Sequence, residues 1–252
     1  MEDHSGIVDA DVRKSAITSH SIGVAELARL LSVVPPDGDV EDYERAVVDD
    51  NVLGLATESG RRWRFKTLRR LYLLRRDAVL FRALRDLWDS DEAAQPLLAG
   101  LMAMATDTVF RATAETIVDT AVGEAVSSAT FREPIERRFP GIYAASTLQT
   151  ITSKAYVSWA MTGHLADATA KARSRQRVLA HCSPSNVAYA LMLGHLQGLR
   201  GEALLDTGWV QVLDRAPSDV AQLAAIAAQQ GMLEYRNAGG VLDVGFRELL
   251  RA

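Results

Sequence analysis

Apolar side chains recur every three or four residues over most of the chain, the spacing of helices with one buried flank. Val24, Leu27, Leu30 and Leu31 predict a first helix, with Ser21 as its cap and Pro35-Pro36 as its stop. Val40, Tyr43, Val47 and Val48 predict a second, begun by Asp39 and frayed at Asn51 and Gly54. Thr57 or Ser59 caps a third from about 60 to 74, with more helix to Trp88 and a break at Asp89-Ser90-Asp91. Two Ala-rich stretches, about 92–105 and 107–127, predict bundle helices, and Pro134 and Pro140-Gly141 punctuate the next region. Ser146 predicts the cap of a helix that ends near Thr162, with Gly163 beyond it. Residues 166–177 are polar and read as a connector or wing. Ser185 starts a helix that ends near Gly198, and Pro217-Ser218-Asp219 opens one that closes at Gly231. Residues 232–236 and 241–246 then read as two strands around Asn237-Ala238-Gly239-Gly240. A helix running directly into a hairpin is the outline of a winged helix.

The expected fold is therefore mainly α: a helical bundle with helix-turn-helix-like and winged-helix-like modules and a small C-terminal β-hairpin. The pattern divides into a flexible tail (1–20), an N-terminal helix-turn-helix-like domain (21–90), a helical middle domain (91–177) and a C-terminal winged-helix-like domain (178–252). Composition narrows the class. With 48% hydrophobic and 24% charged residues in 252, the chain has enough apolar surface to bury a core, which excludes low-complexity and collagen-like classes. A single cysteine, Cys182, excludes an internal disulfide framework and a Cys-based zinc cluster. The longest stretch free of Asp, Glu, Lys and Arg, 178–199, holds His181, Asn186 and His195 and suits a buried helix better than a membrane span. The acidic start, Met1-Glu2-Asp3-His4-Ser5, is unlike a secretory n-region, so the expected location is cytoplasmic.

Charge changes the picture more. The net charge of −4 hides an uneven distribution: residues 61–76 hold eight cations and no acid, leaving −12 on the rest. On a helical wheel Arg62, Lys66, Arg69 and Arg76 fall within about 80° of one another, with Arg70 beside them. Phosphates are met by such rows of fixed cations, and Arg adds forked donors. The Thr57 and Ser59 hydroxyls and the free amides at the helix start add further phosphate contacts. Against this stands the preceding segment 37–58, with eight acids and only Arg45, which is able to neutralise the helix within the fold. A second candidate runs from Ser146 to Lys154. Leu148, Ile151, Ala155 and Trp159 form its apolar stripe, leaving Thr147, Gln149, Thr150, Ser153 and Lys154 largely outside it, as groove contacts or as a plain solvated face. Lys171, Arg173, Arg175 and Arg177 follow at period two, so a strand there aims all four to one side. The C-terminal module lacks such chemistry: 220–230 has no Lys or Arg, and the hairpin has only Arg236.

Catalytic signals are sparse. Glu115 and Asp119 share a helical face without a His nearby, the five His show no metal-ligand spacing, and there is no Gly-rich phosphate loop. No enzyme activity, cofactor or small-molecule substrate is expected.

Asn51-Val52-Leu53, Thr57-Glu58-Ser59 and Arg61-Arg62 with the run to Leu68, Arg70 and Leu71 resemble the signature of the BrxA-like proteins of bacterial BREX phage-exclusion systems. The stretch from Phe139 through Ser146-Thr147 to Trp159 and Gly163 is similar in order and spacing, so the resemblance spans roughly 20–165. It implies a mostly helical fold with helix-turn-helix-like parts, double-stranded DNA binding, no catalysis, and work beside other BREX subunits: a methyltransferase and large ATPase and phosphatase-like components. Carried over by position, it implies Ser59, Arg61, Arg62, Lys66, Arg69 and Arg70 as DNA contacts. The alternative is a protein–protein adaptor whose basic helix receives an acidic partner.

Overall fold

A computed structural model describes residues 7, 15–166, 174–239 and 241–251. Its first three helices begin as local chemistry dictates. Helix α1 (Val24–Val33) stops before Pro35-Pro36, and α2 (Val40–Val48) opens on a capping box in which Asp39 and Asp42 exchange bonds with each other's amides at 3.1 Å. Helix α3 (Glu58–Tyr72) starts at Thr57, whose hydroxyl accepts from the Gly60 amide at 3.1 Å. Ser21 is not the cap of α1. That place is taken by Gly23 at φ 65°, a conformation only glycine adopts cheaply, and the Arg64 guanidinium lies where a Cβ would go.

Helix α3 ends two residues before the expected 74, so its helical wheel does not extend to Arg76. Leu73 and Leu74 both take positive φ and end the helix, and α4 (Val79–Trp88) starts afresh. Left-handed leucines cost roughly 1–2 kcal/mol each. The turn is offset by full burial of Leu74 and by the Thr106 hydroxyl, which donates to the Leu71 carbonyl at 2.6 Å.

Beyond a single 3-10 turn (Glu92–Ala94), α5 (Gln95–Thr106) is buried at every position from Leu97 to Thr106 and forms the axis against which α1, α3, α4 and α9 pack. The helix expected over 107–127 is instead three pieces: α6 (Thr108–Ala112), α7 (Ala114–Asp119) and a two-residue strand β1 (Ala125–Val126). Asp107 sets the start of α6, where the second Ala-rich helix is expected to begin. Its buried carboxylate caps α6 by accepting from Val109 and Phe110 at 3.1 and 3.0 Å, and also accepts from the Ser15 hydroxyl and the Ala16 amide at 2.8 and 2.7 Å. Part of the expected loose tail is therefore packed: Ser15, Ala16 and Ile17 are buried.

After α8 (Arg132–Arg138), helix α9 (Ala145–Met161) begins one residue before Ser146, with Ala144 at the cap position. Strand β2 (Arg175–Gln176) pairs antiparallel with β1. Helix α10 (Pro184–Leu196) is buried from Ser185 to Gly194 and is capped by Ser183 through a box with Asn186, not by Ser185. The short α11 (Gly208–Gln211) and α12 (Pro217–Gln229) come next, and α12 leads into the hairpin of β3 (Glu234–Ala238) and β4 (Val241–Gly245). Its register runs from Glu234 opposite Gly245 to Ala238 opposite Val241, with Leu242 and Val244 turned inward. The fold is thus mainly helical with a small C-terminal hairpin, around one apolar cluster running from Ile7 to Leu249. Among the described residues no helix is long and apolar enough to cross a membrane.

Candidate nucleic-acid interface

Helix α3 sorts its side chains by angle. At 100° per residue, Ser59, Arg62, Trp63, Lys66, Arg69 and Arg70 occupy an arc of about 120°, and all six are exposed. Phe65, Leu68, Leu71 and Tyr72 face inward and are buried. Arg64 and Arg61 lie on that inner flank. Arg64 is buried in an ion pair with Glu26, its Nε donating at 2.6 Å, while Arg61 is half-buried and its Nε has no partner among the described residues. Arg61 is thus turned away from the exposed arc.

The acidic segment neutralises this helix only at one end. Arg62 reaches Glu58 at 2.8 Å and Glu44 at 4.0 Å, contacts that raise its pKa above the ordinary value. Arg45 takes Asp42 at 3.1 Å. Lys66, Arg69 and Arg70 have no acid within ion-pair distance among the described residues. Arg76 is exposed too, but it sits past the end of α3 and, contrary to the helical wheel, does not share its arc. Among the described residues the Ser59 hydroxyl makes only a long contact, 3.4 Å, with the Thr57 hydroxyl.

The second candidate helix is tied to the first. His20 lies with its ring centroid 4.0 Å from that of Trp63, at 68°. Burial, then the charges of Arg64 and Lys154, hold its imidazole below the ordinary pKa, with Glu26 opposing. Two residues on, the Ile22 amide donates to Ser158 of α9 at 3.2 Å, and the Ile22 carbonyl accepts from Tyr72 of α3 at 2.7 Å. Segment 20–22 therefore bridges the two helices. On α9, Gln149 and Thr150 are exposed while Thr147 and Lys154 are half-buried, and the Thr150 hydroxyl is occupied by the Ser146 carbonyl at 3.1 Å.

The basic wing comes apart. Lys171 and Arg173 lie outside the described residues. Arg175 is half-buried, its guanidinium 4.9 Å from the centroid of the Tyr156 ring. Arg177 is 1% exposed, paired with Asp214 and donating to the Ile117 carbonyl at 3.0 Å. Period two along the sequence does not show this, because the partners of Arg177 lie 37 and 60 positions away. Trp63, 52% exposed on the arc, was the residue overlooked, though its spacing from Lys66 and Arg70 carried the signal.

The remaining chemistry is structural in its surroundings. Glu115 is paired with Arg137, and no group of three His, Cys, Asp or Glu is placed to hold a metal among the described residues. Burial pushes the Cys182 thiol up to about 11, away from nucleophilic use. No protein-family model and no curated protein matches the chain.

Proposed function

We propose that this chain is a non-enzymatic protein that binds double-stranded DNA through phosphate contacts of α3, acting in the cytoplasm as an accessory of a BREX-type phage-defence system beside its other subunits. One observation carries the reading: Lys66, Arg69 and Arg70 stand on an exposed arc without acid partners among the described residues, whereas Arg62 and Arg64 are already neutralised. Phosphate docking of this kind is largely blind to sequence. Fluorescence anisotropy with a labelled duplex across a salt series tests it. The log–log slope is expected at about −0.9 per phosphate met, hence roughly −3 for three contacts. A Lys66→Glu/Arg69→Glu/Arg70→Glu variant flattens that slope. Absence of binding to any duplex at low salt overturns the reading in favour of the adaptor, which the Arg62–Glu58–Glu44 contacts favour by showing that α3 accepts carboxylates.

A further inference from the structure

Of the four tryptophans, Trp88, Trp159 and Trp209 are no more than 3% exposed, and Trp63 is 52% exposed. Its indole lies on the outward arc of α3, three residues before Lys66 and seven before Arg70, a stripe about 10 Å long. Trp63 is held from one side by the edge contact with His20, so its ring is oriented before any ligand arrives, which lowers the entropy lost on binding. The His20 ring is disfavoured as a cation by burial and by the nearby Arg64 and Lys154, and so braces the indole without adding charge.

A continuous duplex offers its phosphates to the surrounding cations but keeps its base faces inside the stack. An indole among phosphate-binding cations finds a complementary π-face only on a base that has left the stack. The geometry points to Trp63 as a stacking platform for an unpaired nucleobase, which makes DNA carrying an extrahelical base the preferred ligand over continuous duplex. This inference rests on the phosphate-docking reading above.

Two duplexes of the same length, one continuous and one with a single-nucleotide bulge, separate the outcomes. The wild-type chain is expected to bind the bulged duplex about ten-fold more tightly, within the range for one stacked base. Its tryptophan emission is expected to fall on binding the bulge, because the exposed indole is Trp63. Trp63→Ala should lose both the preference and the quenching while binding the continuous duplex within about three-fold of wild type, and Trp63→Phe should recover part of the preference. Equal wild-type affinity for the two duplexes, or an undiminished preference in Trp63→Ala, overturns the stacking role and leaves phosphate docking standing. Failure of wild type to bind either duplex at low salt overturns both.

Discussion

The outer face of α3 and the junction where Arg177 lies use the same side chain to opposite ends. On α3, Arg69 and Arg70 are exposed and lack acid partners among the described residues. At the junction, Arg177 is enclosed: it pairs with Asp214, bonds the Ile117 and Val178 carbonyls, and lies beside fully buried His164. That imidazole bonds the Val212 carbonyl through Nε2 at 2.8 Å, so Nε2 carries the proton, and its Nδ1 lies 2.7 Å from the Thr162 hydroxyl. A guanidinium in water keeps its charge available to a ligand, while one enclosed by carbonyls and a carboxylate is committed to the fold. Position along the sequence does not separate the two uses; partners do.

The largest effect is expected from Arg177→Ala. Removing a buried guanidinium strands Asp214 and the Ile117 carbonyl, and should cost about 3–5 kcal/mol in urea unfolding. A loss below about 1 kcal/mol would place Arg177 with the α3 cations instead. The Lys66→Glu/Arg69→Glu/Arg70→Glu variant should do the reverse, lowering duplex affinity about a hundred-fold at low salt with stability within about 0.5 kcal/mol of wild type. Unfolding of that variant would erase the contrast.

The junction also predicts a pH dependence. Burial, the largest cause, holds the His164 pKa down to about 3 from 6.5, so the native state stays neutral where the unfolded chain takes up a proton. Its contribution is complete above about pH 6.5 and is lost as pH falls toward 3, at up to about 1.4 kcal/mol per pH unit. His164→Gln should flatten that slope relative to wild type, and identical slopes would show that His164 is not its source. Smallest is Arg62→Gln: with Arg62 already held by Glu58 and Glu44, duplex affinity should change less than about three-fold.

How much of the fold was legible depends on how local each cause is. Asp39, Thr57 and Pro217 mark true helix starts because a cap bonds amides two or three residues away, or because Pro suits the first turn. The alternation of Leu242 and Val244 similarly marks the hairpin. The end of α3 was legible to within two residues but the form of the turn was not, since Leu73 and Leu74 carry no signal for positive φ and the turn depends on Thr106, more than thirty positions on. The boundary at Asp107 was legible, but its ties to Ser15 and Ala16, about ninety positions away, were not. At the candidate site, the cationic run was plain and its sorting was not. Arg64 and Arg177 were indistinguishable from Arg69 until Glu26 and Asp214 were brought beside them.

The ties of segment 15–22 have a consequence for the order in which the chain is made. Its amides and hydroxyl reach Asp107 and Ser158, up to 136 positions later. On a ribosome adding about 5–20 residues per second, roughly ten seconds pass between emergence of Ile22 and synthesis of its partner on α9. Until then the brace beneath Trp63 has no anchor on α9, and helix α3 leaves the ribosome with its cations exposed but its N-terminal strap undocked. Completion of this surface thereby waits for α9, although almost all of its residues are translated well before that helix.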